Sequence, residues 1–487
     1  MRRREFLTAA AAVTAMQAQE ADAIVVDPQP LFAISPLLYM QFMEPLGTTD
    51  CAVEASWDYN ADDWRSDFVA LTRDLAPGAI RFGGLFSRYY HWREGIGPAD
   101  RRPSMRNYVW GGKETNRVGT HEFVDFCRRV GAEPFYCVNF LSDGVTRYGS
   151  RTAGAQEAAD WVSYANDPDH PERRANGAPS PLNLKLWEIG NETSYGTATF
   201  SKEDAIAHTV EFSRAMKGRD PSIALIGWGD RGRDGKLWAP DMQKQAGEYL
   251  SYIAIHMMGQ TPRRPDTVLK GLRYQRDPQR AWEELIDLAG VVERRVLEIE
   301  QACTGAIAIT EGHLSLSPSN ANPILHEWLS AVYHARSMNI YQRHGARVKI
   351  ATAADFQGNR WTNTAVMLPT PRAAFLTPAG SIARLFKRHN GSHAVAVQKA
   401  PPDLDIAASR TNDRLYLHVA NLRYTGSVEA TFPGTTGGRV FEIAPQDLRS
   451  YVNQDQPDVF LPREAAMQGS SWRFPAGSVS AVELELA

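Results

Sequence analysis

Eight short apolar, β-prone runs alternate with amphipathic helical stretches along this chain, and that period constrains the fold more than any other feature. The runs are Leu37–Met43, Ala79–Gly83, Pro134–Asn139, Leu184–Ile189, Ile223–Trp228, Tyr252–Met257, Ala306–Thr310 and Val348–Ala353. Most are almost continuously apolar, as strands covered on both faces of a parallel sheet must be. The spacing between them is helical. Trp64, Phe68, Leu71 and Leu75 form one stripe, and Trp282, Leu285, Ile286 and Ala289 begin a longer one that continues through Val296. Asn322-Pro323 has the form of an N-cap followed by proline at the first helical position, and Gly131 and Gly345 are placed to close helices. Eight βα units in roughly 350 residues fit a closed barrel with some long loops. An open doubly wound sheet is the alternative, but no glycine-rich phosphate loop follows the first run.

Beyond about Gly391 the texture changes. Short alternating segments such as Leu415–Val419 and Ser478–Leu484 are separated by turn residues, including Thr411-Asn412-Asp413 and Pro433-Gly434. That is the pattern of an antiparallel β-sandwich. The expected architecture is α/β: a (β/α)8 TIM barrel over residues 24–390 with a C-terminal antiparallel β-sandwich over residues 391–487. Residues 24–34 open on Ala23-Ile24-Val25-Val26 and fit either the start of the barrel unit or an added strand of the sandwich.

Composition excludes several functions. A formal charge of −3 argues against a nucleic acid or an anionic membrane surface as partner. Cys51, Cys127, Cys137 and Cys303 show neither CxxC spacing nor the density of a disulfide scaffold, so they are expected as small buried hydrophobes. There is no HExxH, and Asp58, Asp62 and Asp63 lack the glycine of a calcium loop. No metal and no cofactor are expected.

The first 23 residues have three ordered parts. Arg2-Arg3-Arg4-Glu5-Phe6-Leu7 precedes a mild apolar stretch, Thr8 to Met16, which is too short to span a bilayer. Small residues suited to cleavage follow, around Ala18 or Ala23. The segment resembles a twin-arginine (Tat) export signal, which implies a periplasmic or extracellular protein. No other stretch has the character of a membrane span.

Barrel chemistry sits at the C-terminal ends of the strands. The fourth run ends in Trp187-Glu188-Ile189-Gly190-Asn191-Glu192 and the seventh in Ile309-Thr310-Glu311-Gly312-His313, so both deliver a glutamate to one rim. Two facing carboxylates are what glycosidic bond cleavage needs: one protonated to release the leaving oxygen, the other ionised. Their separation, which sequence does not give, distinguishes retention from inversion.

The fourth-strand motif resembles that of the clan A glycoside hydrolases. That resemblance implies Glu192 as general acid/base, Glu311 as nucleophile, and a retaining mechanism. Most of the chain is similar to the family 51 glycoside hydrolases, best known as α-L-arabinofuranosidases. Phe42-Met43-Glu44-Pro45-Leu46-Gly47 matches that family's first-strand motif. Arg81-Phe82-Gly83-Gly84, with Tyr90-His91-Trp92 and Gly95-Ile96-Gly97-Pro98, matches its second-strand segment. The match implies that Glu44, Arg81, Trp92, Asn191, His256 and Gln357 bind substrate or support the pair, with Arg81 keeping the nucleophile ionised. The substrate implied is an oligo- or polysaccharide. The chain departs from the family in lacking a proline after Phe82, in Leu85-Phe86 where a sugar-binding asparagine is expected, in His256-Met257-Met258 for His-x-Tyr, and in Gly312-His313 after the seventh-strand glutamate. Other clan A activities, such as β-xylosidase or endo-glycanase, stay open. So does a non-catalytic carbohydrate-binding protein on a degenerate barrel.

Overall fold

The computed structural model describes residues 22–46, 53–196, 198–318, 321–352, 354–359 and 363–486. All but the last two residues of the expected export signal lie outside the described residues. Each of the eight apolar runs contributes one strand to a single parallel sheet. In order these are Gln41–Met43, Ala79–Phe82, Glu133–Val138, Leu186–Ile189, Ala224–Trp228, Leu250–His256, Ile307–Glu311 and Val348–Ala351. The eighth strand returns to the first through the Met40 N–H, which donates to Ala351 O at 2.9 Å. The sheet is thus a closed barrel, and Phe135, Leu186, Ile226, Trp228, Ala254 and Ile350 are among the residues filling its interior. Larger apolar layers lie between the strands and the surrounding helices. Both strand faces are therefore covered, which explains why alternation was absent from these runs.

The helix Pro278–Ala302 carries the stripe from Trp282 through Val296, and Gly131, in the left-handed region at φ 80°, caps Thr120–Val130. Three local expectations need correction. Trp64 precedes its helix, Ser66–Leu75, because it pairs with Trp57 across a short antiparallel bridge and stacks on Phe126. Asn322 does cap, accepting from the Ile324 N–H, but only a 3-10 turn, Pro323–His326; the long helix begins at Ala331. The intervening residues are diverted so that the Trp328 indole can donate to Gly477 O at 2.8 Å. Gly345 lies one position past the cap, which is His344.

The C-terminal part is an antiparallel seven-stranded sheet. Its strand order is Val25–Ala33, His393–Lys399, Leu404–Thr411, Arg414–Asn421, Val479–Leu486, Thr435–Ile443 and Arg463–Ala466. A two-stranded sheet, Val428–Thr431 with Ser471–Phe474, packs on it, and Ile24, Leu417, Ala430, Phe474 and Val482 share the core between them. Strand Val25–Ala33 is thus an edge of this sheet. Among the described residues, no helix is long and apolar enough to cross a membrane.

The sandwich is fixed to the barrel by a buried anion. Asp405 accepts from Arg336 Nε at 3.0 Å, Asn339 Nδ2 at 2.9 Å and Arg343 Nη1 at 2.9 Å, all from the helix Ala331–Arg343. Burial alone would raise the Asp405 pKa, but Arg343 and Arg336 hold it below the usual carboxylate value. Since the folded pKa is depressed, this stabilisation is complete above about pH 4 and is lost as pH falls below it. Asp405→Ala removes the anion that both guanidinium groups share, leaving them Ile286 O, Ile406 O and Glu293, so we expect a loss of about 2–3 kcal/mol. Thermal melts should show it at pH 7, and the difference between variant and parent should shrink below pH 4.

Candidate functional site

Arg81 leaves the second strand pointing into the barrel and is fully buried. An unpaired cation there would cost far more than the fold could supply. Three side chains satisfy it. Its Nε donates to Glu188 Oε2 at 2.6 Å, Nη1 to Glu311 Oε1 at 3.1 Å and Nη2 to Asn191 Oδ1 at 2.6 Å. Thr310 Oγ1 donates to the other Glu188 oxygen at 2.9 Å. One guanidinium therefore serves two carboxylates, and Glu188 is part of the support beneath the site.

The fourth strand ends at Ile189, and the chain turns through Gly190 at φ 79° to bring Glu192 in at φ 52°. A non-glycine residue in that region costs about 1–2 kcal/mol, so Glu192 is held there by its surroundings. His256 ends the sixth strand between the two glutamates. Its Nδ1 lies 3.2 Å from Glu192 Oε1 and 3.6 Å from Glu311 Oε2. One donor atom from each of the three lies within 4.8 Å of the others.

Burial disfavours the imidazolium, but the charge of Glu311 and the contact with Glu192 outweigh it and raise the His256 pKa. The converse holds for Glu192: burial pushes its carboxyl up, while the His256 hydrogen bond and charge pull it below the usual value. Both directions favour the proton of this pair on the imidazole over the carboxyl. Glu192, His256 and Glu311 also have the spacing of a three-ligand metal set. The donor chemistry fits a metal poorly, because the Arg81 guanidinium already compensates Glu311 and would lie beside the ion.

Glu44, beyond the first strand, points its Oε1 at the Phe86 N–H (3.0 Å) and the Trp110 indole N–H (2.9 Å). Gly84, at φ 85°, allows this approach: a Cβ there would sit 2.5 Å from Glu44 Cδ. Asn191 commits Oδ1 to Arg81, so its amide N–H2 is what it can offer to a ligand. Trp92 is not brought into this cluster of side chains. Its ring is 2% exposed, stacks on Trp161 at 5.9 Å and donates to Glu157 O, because the turn Trp92–Gly95 folds it into the helical shell. Gln357 falls on the strand Asp355–Gly358, and its side chain lies outside the described residues.

Asp230, past the fifth strand, was missed. Its Oδ2 accepts from the His256 N–H at 3.1 Å, and Arg295 Nη2 donates to both its oxygens at 2.8 and 2.9 Å, so it fixes where the sixth strand delivers its histidine. The same strand-end rule that found the glutamates would have found it. Trp110 and Arg88 were also missed, since they sit in loops without a strand to count from. Beside His256 lies a cavity of about 340 Å³ whose walls include Met257, Met258 and Leu288, so the sixth-strand departure makes this flank apolar.

Residues 71–276 match the family model described as "Alpha-L-arabinofuranosidase 1 domain". The "Alpha-L-arabinofuranosidase C" of Emericella nidulans is 33% identical over 232 residues, 45% of this chain and 44% of that protein. The "Intracellular exo-alpha-(1->5)-L-arabinofuranosidase" of Acetivibrio thermocellus is 32% identical over 207 residues, 40% of this chain and 39% of that protein. The chain thus matches less than half the length of these curated relatives. Among solved structures, an α-L-arabinofuranosidase from Thermotoga maritima in complex with arabinose has a TM-score of 0.76 at 24% identity, over 96% of this chain and 100% of that one. The GH51 arabinofuranosidase from Xanthomonas axonopodis pv. citri has a TM-score of 0.79 at 22% identity, over 95% and 99%. These likenesses establish the fold of barrel and sandwich.

Placed between two carboxylates, the His256 imidazole should titrate above the ordinary value of about 6.5 in an NMR pH titration. Glu311→Gln removes one of the anions that raise it and should lower that pKa. An unchanged His256 titration in this variant would contradict the geometry described.

Proposed function

We propose that this chain is a retaining glycoside hydrolase of the family 51 type, releasing α-L-arabinofuranosyl groups from oligo- or polysaccharide. The observation that carries the proposal is the distance between the paired carboxylates. Donor oxygens of Glu192 and Glu311 lie within 4.8 Å of one another. Retaining enzymes hold their carboxyl groups about 5–5.5 Å apart, whereas inverting ones need about 6.5–9.5 Å to admit a water. The family model over residues 71–276 and the names of the relatives support the sugar.

In the first step a Glu311 oxygen attacks the anomeric carbon. The bond from that carbon to the leaving oxygen breaks, and Glu192 supplies the proton that the departing alkoxide takes up. His256 Nδ1 stands beside this carboxyl, 3.2 Å from Glu192 Oε1. Arg81 keeps Glu311 ionised and hence nucleophilic. In the second step Glu192, now a carboxylate, takes a proton from water. The resulting hydroxyl forms the new bond to the anomeric carbon, and the ester to Glu311 breaks, restoring its carboxylate. Inversion occurs twice, so configuration is retained. Export by the twin-arginine segment belongs to the same proposal and rests on the order of Arg2-Arg3-Arg4-Glu5-Phe6-Leu7, the apolar stretch Thr8 to Met16 and the small residues after it.

A fluorinated mechanism-based arabinofuranoside should leave a stable adduct on the peptide containing Glu311, visible by intact mass and peptide mapping. Glu311→Ala should lower turnover by about 10⁴-fold or more, and azide should restore part of it with a glycosyl azide of inverted configuration. Cleavage of aryl xylosides but of no arabinofuranoside by the folded parent would overturn the sugar assignment. Unchanged turnover in Glu311→Ala would overturn the mechanism.

A further inference from the structure

Beneath the loop that carries Glu192 lies a buried ion pair that the reaction above does not use. After the third strand, Leu141, Ser142 and Asp143 follow one another in the left-handed region, at φ 49°, 56° and 51°, before Gly144 at 78°. Each of the three costs about 1–2 kcal/mol relative to an ordinary conformation. A run of this kind persists only where its surroundings hold it. Its effect is to bring the Asp143 carboxylate under the turn at the end of the fourth strand.

Asp143 is fully buried and accepts from Arg88 Nε at 2.9 Å, from Thr193 Oγ1 at 2.8 Å and from the Asn191 backbone N–H. Arg88, also buried, reaches past it: its Nη2 donates to Asn191 O at 3.1 Å and to Glu192 O at 3.2 Å. The anion therefore takes the turn's N–H and hydroxyl, and the cation takes its carbonyls. Between them they grip three consecutive residues, of which the middle one is Glu192 in its own left-handed conformation. The turn runs so close to the carboxylate that a Cβ on Gly190 would lie 2.8 Å from Asp143 Oδ1.

We propose that the Arg88–Asp143 pair is a positioning device for Glu192, holding the backbone of the acid/base so that its carboxyl faces the leaving oxygen. Neither residue takes part in bond making. This rests on the reading of Glu192 as the acid/base. Its signature is selective, because a leaving group such as dinitrophenolate departs without a proton while phenolate needs one. A misplaced acid therefore slows poor leaving groups and spares good ones, whereas general damage to the site slows both.

The test uses the full chain with Arg88→Met, Arg88→Lys and Asp143→Asn on a series of aryl α-L-arabinofuranosides spanning leaving-group pKa. For Arg88→Met we expect kcat/KM on the phenyl glycoside to fall about 10²-fold, while that on the dinitrophenyl glycoside changes less than about threefold. Arg88→Lys, which keeps the charge, should recover part of the loss. Azide should accelerate turnover of the dinitrophenyl substrate and give a glycosyl azide of retained configuration, as expected when water is no longer activated. Equal losses across the series, or no loss, would overturn the proposal. Arg88→Lys and Asp143→Asn keep side-chain volume and carry the same test if Arg88→Met fails to fold. If the parent cleaves other aryl glycosides but no arabinofuranoside, the sugar assignment fails separately. The leaving-group comparison is then made on the glycoside it does cleave.

Discussion

One buried guanidinium organises the site. Arg81 stands at the tip of the second barrel strand and joins it to the fourth through Glu188 and Asn191 and to the seventh through Glu311. A cation at this depth is tolerable only when its fork is fully occupied. Its three partners therefore have to arrive at the same height, which fixes the relative height of three strands. The mutual position of the proposed acid and nucleophile follows from that, because Asn191 and Glu192 are neighbours on one turn. Glu188 occupies the guanidinium's Nε, leaving Nη1 to face Glu311 and Nη2 to face Asn191.

The rest of the site extends the same logic. Asp230 fixes the end of the sixth strand and hence His256, Arg88 with Asp143 grips the Glu192 turn, and Trp110 with the Phe86 N–H aims Glu44. Each is a polar group buried at the barrel mouth and satisfied by a partner from a different strand or loop. Such groups give little net stability when paired and cost much when orphaned, so they act as geometric constraints. The apolar layers inside and outside the barrel supply the stability that allows them.

Much of this was legible from the chain. The eight strands could be counted because a strand covered on both faces is apolar along its length, and counting them located Glu192, Glu311, Arg81 and His256 at one rim. The sandwich was legible from alternation and turn residues, although its central strands Leu404–Thr411, Arg414–Asn421 and Val479–Leu486 are buried on both faces, since the helix Ala331–Arg343 packs on the side away from the two-stranded sheet. What sequence did not convey were the directions taken after a strand ends. Trp92 sits in a motif of the right kind but turns inward against Trp161. Asn322-Pro323 carries a sound capping signal, yet the helix it seemed to start is delayed to Ala331 by the demand of Trp328 for a distant carbonyl. Arg88 and Asp143 meet across 55 residues, and no local period relates them.

The edge strand Val25–Ala33 bears on how the protein is made. Among the first described residues to leave the ribosome, it pairs with His393–Lys399, so Val25 waits for Lys399. At about 5–20 residues per second, that partner appears roughly 20 to 75 seconds later. Until then its backbone groups have no sheet partner. Pro28 and Pro30 carry no N–H, and Asp27 and Gln29 stand beside them; proline and charge on an edge strand discourage pairing with other chains. The segment can therefore wait for its partner without serving as a template for another chain.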